Sequence, residues 1–299
     1  MANQLPRWRY WTAAVLAGIA GLAALRDTVL GAIEHRLIYL PSRTLTRTPA
    51  VLGLPYTDVW FTASDGVRLH GWWLPGRYRQ PWLWLHGNAG NLMHRLDNLA
   101  AVHDRLGVSV FIFDYRGYGQ SEGVPSEDGL YRDAEAALAQ LATLARCNST
   151  EVVVFGRSLG AAVAVELALR ARVRGLILES AFASIPAMAR HLYPFLPLAS
   201  LPRTRYDSLS KIAHIGVPVL LVHSRHDPLV PYAQGQALYA AAAAPKYFHT
   251  IEAAAHYDTY LSGGLAYWQA LHHFLAALPP AAQPLACAPP PPALPGAPA

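Results

Sequence analysis

Charge is what this 299-residue chain has little of: Asp, Glu, Lys and Arg make up 14% of it, against about 25% in ordinary soluble domains. That excludes a polyelectrolyte or disordered chain, and 53% hydrophobic residues leave ample material for a core. Cysteine is scarce too. Cys147 and Cys287 have no CxxC spacing and are too few for a disulfide scaffold. The chain has no internal repeats, and no Gly-rich loop is followed by Lys-Ser or Lys-Thr, which excludes a phosphate-cradling P-loop. Most of the net charge of +5 sits at one end: Arg7, Arg9, Arg26, Arg36, Arg43 and Arg47 stand there against Asp27 and Glu34. With no basic face elsewhere, no interleaving of aromatic with basic residues and no recognised motif, a nucleic-acid partner is excluded.

What is present begins with an uncharged run, Tyr10–Leu25 (YWTAAVLAGIAGLAAL), of 16 residues, slightly short of the roughly 17–25 of a spanning helix. A retained membrane anchor is the expected reading, with a cleaved signal peptide and an interfacial helix as alternatives. Gly21-Leu22-Ala23 is the best cleavage context and a poor one. Arg7 and Arg9 on one side and Arg26, Arg36 and Arg43 on the other leave the orientation open. At the other end, from Pro279, Pro and Ala dominate and cannot bury enough apolar surface to offset ordering entropy. The expected organisation is an anchor over 1–35, a catalytic domain over 36–278 and a disordered tail over 279–299.

Between these ends, β-branched apolar runs alternate with amphipathic stretches. The pattern predicts an α/β fold: a mostly parallel eight-stranded sheet with helices on both faces. Strands are expected at 58–62, 67–74, 82–85, 109–114, 152–155, 176–179, 218–223 and 247–251. Helices are expected at 92–105, 127–145, 159–171, 232–243 and 260–277.

The chemistry starts where Val152-Val153-Val154-Phe155 runs into Gly156-Arg157-Ser158-Leu159-Gly160 and a small-residue helix. GxSxG between strand and helix is a nucleophile elbow: the glycines permit a sharp turn that lifts Ser158 above the sheet edge at a helix N-terminus. A serine hydroxyl needs a base, and the base needs an orienting acid. Asp227 follows the strand ending at His223, and His256 follows the strand ending at Ile251, so both fall on the same rim, the ligand-binding edge of open α/β sheets. Glu179, ending a neighbouring strand, is the rival acid. His223 and His226 lack a third metal ligand at suitable spacing, and His272 and His273 read as ordinary helix residues. Asp258 is expected to cap the final helix. Two backbone N–H donors are needed for the oxyanion. Leu159 supplies one, and Asn88, in the small-residue loop after Trp82–Leu85, is expected to supply the other.

These residues resemble the α/β-hydrolase superfamily, and within it the membrane-associated Bem46-like and ABHD-type serine hydrolases. The resemblance spans about residues 36–277 and rests on HGNAGN at 86–91, DYRGYGQSEG at 114–123, GRSLGAAVA at 156–164, LESAFAS at 178–184, HSRHDPLVPY at 223–232 and AHYD at 255–258. It implies Ser158 as nucleophile, Asp227 as acid, His256 as base and Asn88 with Leu159 as the oxyanion hole. It also favours the anchor over the signal peptide. Asp114 and Arg116 are expected to form a structural ion pair or cap.

A short lid is expected over 181–215, its apolar residues, among them Phe182, Met188, Tyr193 and Phe195, walling an acyl pocket. The reading is thus a membrane-tethered serine hydrolase of esters or thioesters acting on a small-molecule or acylated substrate without metal or cofactor. A serine peptidase of short peptides and a non-catalytic scaffold are the alternatives. The sequence leaves the oligomeric state open.

Overall fold

The computed structural model describes residues 31–195 and 203–280. The uncharged run at 10–25, part of the expected lid (196–202) and nearly all of the Pro/Ala tail lie outside the described residues. Among the described residues, no helix is long and apolar enough to cross a membrane.

Eight strands form one sheet: β1 (Thr57–Thr62), β2 (Arg68–Leu74), β3 (Tyr78–Leu85), β4 (Val108–Asp114), β5 (Val153–Arg157), β6 (Gly175–Glu179), β7 (Val219–Ser224) and β8 (Lys246–Ile251). Their spatial order is β8-β7-β6-β5-β3-β4-β2-β1. β2 runs antiparallel to both its neighbours, and all other pairs are parallel. The helices are α1 (Leu96–Leu106), α2 (Glu127–Ala145), α3 (Leu159–Arg170), α4 (Ile185–Leu192), α5 (Ser208–Ile212), α6 (Tyr232–Ala241) and α7 (Gly264–Ala277).

Alternation of side chains along each strand explains the near-continuous apolar runs, because both faces are covered. Leu83, Leu85, Phe111, Phe113, Val154 and Leu178 face a core shared with α2, α3, α5 and α6. Trp82, Trp84, Ile112, Val153, Phe155 and Ile177 face the other, under α1 and α7. There Phe155 stacks on Trp82 at 5.8 Å and meets Trp84 edge-on at 4.8 Å.

β3 lies between β4 and β5, so the crossover from β3 to β4 winds one way and that from β4 to β5 winds back. Such a reversal leaves a crevice at the carboxyl ends of the strands. The HGNAGN loop leaves β3 and Ser158 leaves β5, the two strands that flank this crevice.

Two expected elements differ. The helix expected at 260–277 is split, a single turn at Thr259–Ser262 and then α7, because Gly263-Gly264 breaks it and Gly264 takes φ 54°. Helical structure also covers 31–38, across the boundary expected at 35/36.

Candidate active site

Ser158 links β5 to α3 with φ 53° and ψ −116°, a conformation that costs a non-glycine residue about 1–3 kcal/mol. The surroundings enforce it. Its N–H continues the ladder to the Glu179 carbonyl at 2.9 Å, and its carbonyl accepts from Ala161 N–H at 3.0 Å. A Cβ at position 156 would stand 2.5 Å from the Gly160 carbonyl oxygen, and one at 160 would strike the Leu85 carbonyl. Both glycines are therefore required by close approach of backbone.

The His256 ring bonds Asp227, Nδ1 to Oδ2 at 2.7 Å. The other oxygen, Oδ1, accepts from the N–H groups of Leu229 and Val230 at 2.9 and 3.0 Å. Burial alone would raise the Asp227 pKa, but the hydrogen bond and charge attraction from His256 and these two N–H groups outweigh it and hold the carboxyl below its ordinary value. An ionised Asp227 only accepts, so Nδ1 of His256 is the donor in this bond.

The rival carboxylate is engaged elsewhere. Glu179 accepts from Thr259 Oγ1 at 2.6 Å and from the Tyr267 hydroxyl at 2.8 Å, and it stands 3.3 Å from Arg157 Nε. The buried Arg157 guanidinium in turn donates to the His256 carbonyl oxygen. Arg157 and Glu179 thus clamp the loop that carries His256 against the strand that carries Ser158. Sequence reasoning gave neither residue this part. The signal was there: an arginine at the buried end of β5 needs a counter-charge, and parallel register sets Glu179 directly beside it.

Asn88 is fixed on every side. Its carbonyl accepts from the Tyr118 hydroxyl at 2.8 Å and from Leu40 N–H at 3.1 Å, and its side-chain amide donates to the Ile38 carbonyl at 2.9 Å. The Gly87 carbonyl turns to His86 Nδ1 at 2.7 Å, so in a trans peptide the Asn88 N–H points the opposite way. Burial and the nearby Arg95 push His86 down to about 3, against a smaller opposing effect of the Gly87 carbonyl; the ring is neutral and donates from Nδ1. Asp114, 3.6 Å from His86 Nε2, is pushed up to about 8 by burial, against the Leu92 N–H and Arg95.

A cavity of about 390 Å³ joins these parts. Ser158, Leu159 and Asn88 line it, as do Phe182 and Met188 of the expected lid segment, Tyr193 at the end of α4 and Tyr257 beside His256. Phe195 does not line it and is 96% exposed, which corrects the sequence expectation: α4 ends at Leu192, so Phe195 lies beyond the helix whose face walls the cavity. The walls that sequence reasoning missed are Ile33, Leu37, Ile38 and Leu40.

In the DYRGYG stretch the roles are structural, as expected, but the partners differ. Arg116 pairs with Asp133 and Asp65, each at 2.8 Å, and not with Asp114, which accepts from Leu92 N–H at 3.0 Å. Asp258 precedes the Thr259–Ser262 turn and bonds the Ser262 hydroxyl at 2.9 Å in place of a backbone N–H of the last helix. His223 is buried beneath the Asp227 loop with Nε2 on the Val230 carbonyl at 3.0 Å, and His226 Nδ1 meets the Glu252 carbonyl at 2.6 Å. Among the described residues, no group of three or more His, Cys, Asp or Glu could hold a metal ion.

Comparison with known proteins bears on the family and the fold. The alpha/beta hydrolase domain-containing protein WAV2 of Arabidopsis thaliana is 37% identical over 291 residues, covering 89% of this chain and 94% of the relative. This chain belongs to the α/β hydrolases. Protein bem46 of Schizosaccharomyces pombe is 34% identical, covering 79% of this hydrolase and 81% of its own length. The family described as serine aminopeptidase, S33 matches residues 79–206. An esterase of Pyrococcus furiosus superposes with a TM-score of 0.67 at 23% identity, covering 80% of this chain and 99% of that one, which bears on the fold.

Proposed function

We propose that this α/β hydrolase is a serine hydrolase of carboxylic esters or thioesters with an apolar acyl group. The observation that carries the reading is the cavity itself: one apolar space lined together by Ser158 at a strained elbow and by Asn88 and Leu159. The His256–Asp227 bond supports the assignment of base and acid, and the tie from Arg157 to the His256 carbonyl supports their approach to Ser158.

In the proposed cycle Ser158 Oγ attacks the acyl carbonyl carbon while His256 Nε2 takes the hydroxyl proton. The N–H groups of Asn88 and Leu159 receive the negative oxygen, and Asp227 stabilises the imidazolium. His256 then returns the proton to the departing alcohol or thiol. Water attacks the acyl-serine by the same route in reverse roles, releasing the acid and regenerating Ser158. The cycle needs no metal or cofactor. We further propose that the run at 10–25 tethers the domain to a membrane, the expectation that suits a lipid-like substrate.

A peptidase reading has the family description in its favour. An aminopeptidase needs a carboxylate for the substrate amine, and among the described residues the one carboxylate lining the cavity, Glu34, already accepts from the N–H groups of Arg203 and Thr204 at 3.0 and 2.7 Å. The experiment is labelling of the full chain by a fluorophosphonate, with Ser158→Ala as control, followed by a panel of acyl esters and peptide amides. Labelling at Ser158 with turnover of esters is the expected result, and Ser158→Ala should lower that turnover by about 10³-fold or more without loss of folding. Labelling elsewhere removes Ser158 from the mechanism, and preferred turnover of amides favours the peptidase.

A further inference from the structure

Most of the cavity wall that sequence reasoning missed has an unusual property: Ile38 is buried, but the other residues that line it also face water. Ile33 is 50% exposed and Leu37 56%, one helical turn apart on the 31–38 segment, and across the mouth Leu192 is 45% exposed. Phe195, three residues beyond Leu192 in the chain, is nearly bare. Large side chains left in water at the rim of an apolar cavity form a contiguous patch, and such patches mark interaction surfaces. We infer that this rim, formed by Ile33, Leu37, Leu192, Tyr193 and Phe195, rests on a lipid bilayer, and that the acyl chain of the substrate passes from the bilayer straight into the cavity. The inference deepens the hydrolase and tether readings above and rests on them.

Three observations select a lipid surface as the occupant. The first is chain continuity. Leu25, the end of the uncharged run, stands eight residues before Ile33, a stretch that spans about 28 Å at most when fully extended. A tether in the bilayer therefore holds the cavity mouth within about one bilayer thickness of it. The second is charge. Arg36 and Arg190 are exposed on the same two elements that carry the apolar rim, whereas Glu34, half-buried on the first of them, accepts from Arg203 and Thr204 N–H. An apolar face flanked by cations suits a surface containing anionic lipid. The third is rigidity. The segment after the run is bonded to the domain through His35 Nε2 to the Pro125 carbonyl at 3.0 Å and through the hydroxyls of Tyr39 and Tyr206 at 2.9 Å. The membrane-proximal segment is thus itself the cavity wall, and membrane attachment fixes which way the mouth faces.

The test uses the full chain in phosphatidylcholine vesicles, with and without phosphatidylglycerol, containing a phospholipid with a diazirine at the end of its acyl chain. Crosslinks within 33–40 and 190–195, in addition to 10–25, are expected. Crosslinks confined to 10–25 overturn the inference. Absence of crosslinks at 10–25 overturns the tether and the docking together, while fluorophosphonate labelling of Ser158 reads the hydrolase chemistry separately. In a second arm, Phe195→Glu should slow turnover of a long-chain ester in vesicles by about tenfold, through lost apolar burial and added charge at the surface. It should leave a short water-soluble ester unaffected. Leu169→Glu, at the far end of α3, should change neither rate. Equal rates for wild type and Phe195→Glu on vesicles overturn docking at this rim.

Discussion

The two sides of the cavity are held together by different means. On the Ser158 side, every important group stands at or just beyond the end of a parallel strand: Arg157 ends β5 and Ser158 follows it, Glu179 ends β6, Asp227 follows β7 and His256 follows β8. Sheet register delivers them to one level, Arg157 beside Glu179 and Glu179 beside Val222. On the Asn88 side, alignment comes from contacts between distant parts of the chain. Leu40 N–H and the Ile38 carbonyl, about fifty residues earlier, grip Asn88, and a two-residue parallel ladder pairs Leu40–Pro41 with Ala89–Gly90. The first side inherits its geometry from the core. The second depends on an N-terminal segment staying docked, so the two sides should fail differently.

The largest contrast should come from the two carboxylates on the strand-built side. Asp227→Asn removes the acceptor that sets the His256 tautomer and should lower kcat by about 10³–10⁴-fold with little change in Tm. Glu179→Gln leaves the buried Arg157 without its counter-charge and should lower stability, by about 3–5 kcal/mol, more than it lowers kcat. Steady-state kinetics with thermal melts of both variants decide it; a larger kcat loss in Glu179→Gln would reverse the assignment of the acid.

A smaller effect is expected from Arg157→Lys, which keeps the charge but loses the fork that spans Glu179 and the His256 carbonyl. A kcat lower by about tenfold with KM unchanged is the signature of a displaced His256. A raised KM at constant kcat would place Arg157 in substrate binding. On the other side, Asn88→Ala keeps the backbone N–H but releases the loop from Ile38. One lost hydrogen bond is worth about 1 kcal/mol, so the expected loss is about fivefold in kcat, recovered in part by Asn88→Asp only if packing and not donation matters.

The smallest effect is a pH dependence. Folded Asp114 holds a proton up to about pH 8, whereas an unfolded aspartate releases it near pH 4. The unfolded chain therefore binds fewer protons across that window, and stability falls as pH rises through it. His86, held near 3 when folded, works in the opposite sense below its unfolded value of about 6.5. The two offset each other below pH 6.5, and Asp114 acts alone between about 6.5 and 8. Asp114→Asn should flatten the decline of Tm over that interval, and an unchanged slope would show that Asp114 is ionised in the folded chain.

Much of this was legible in the sequence. All eight strands were expected in place, because doubly covered strands are apolar on both faces and leave an unmistakable run. β3 begins at Tyr78 and not at 82 because pairing with β4 resumes across an irregularity between Tyr78 and Pro81, where proline cannot donate. The elbow, Asp227 and His256 were legible for a related reason: turns after strands carry local signals. The helix at 31–38 was not. Glu34, His35 and Arg36 read as a polar boundary, and what organises them lies far off in the chain, Glu34 on Arg203 at a separation of 169 residues.

By itself, then, the sequence determined the sheet, the elbow and the strand ends from which Asp227 and His256 leave, since period, glycine placement and strand ends are local properties of a chain. Tertiary structure alone decided that Glu179 bonds Thr259 and Tyr267 while Asp227 takes His256, that Arg157 ties the two loops together, and that the segment after the N-terminal run walls the cavity. Those outcomes turn on distances of a few ångströms between residues tens to hundreds of positions apart. Only the packed sheet defines such distances.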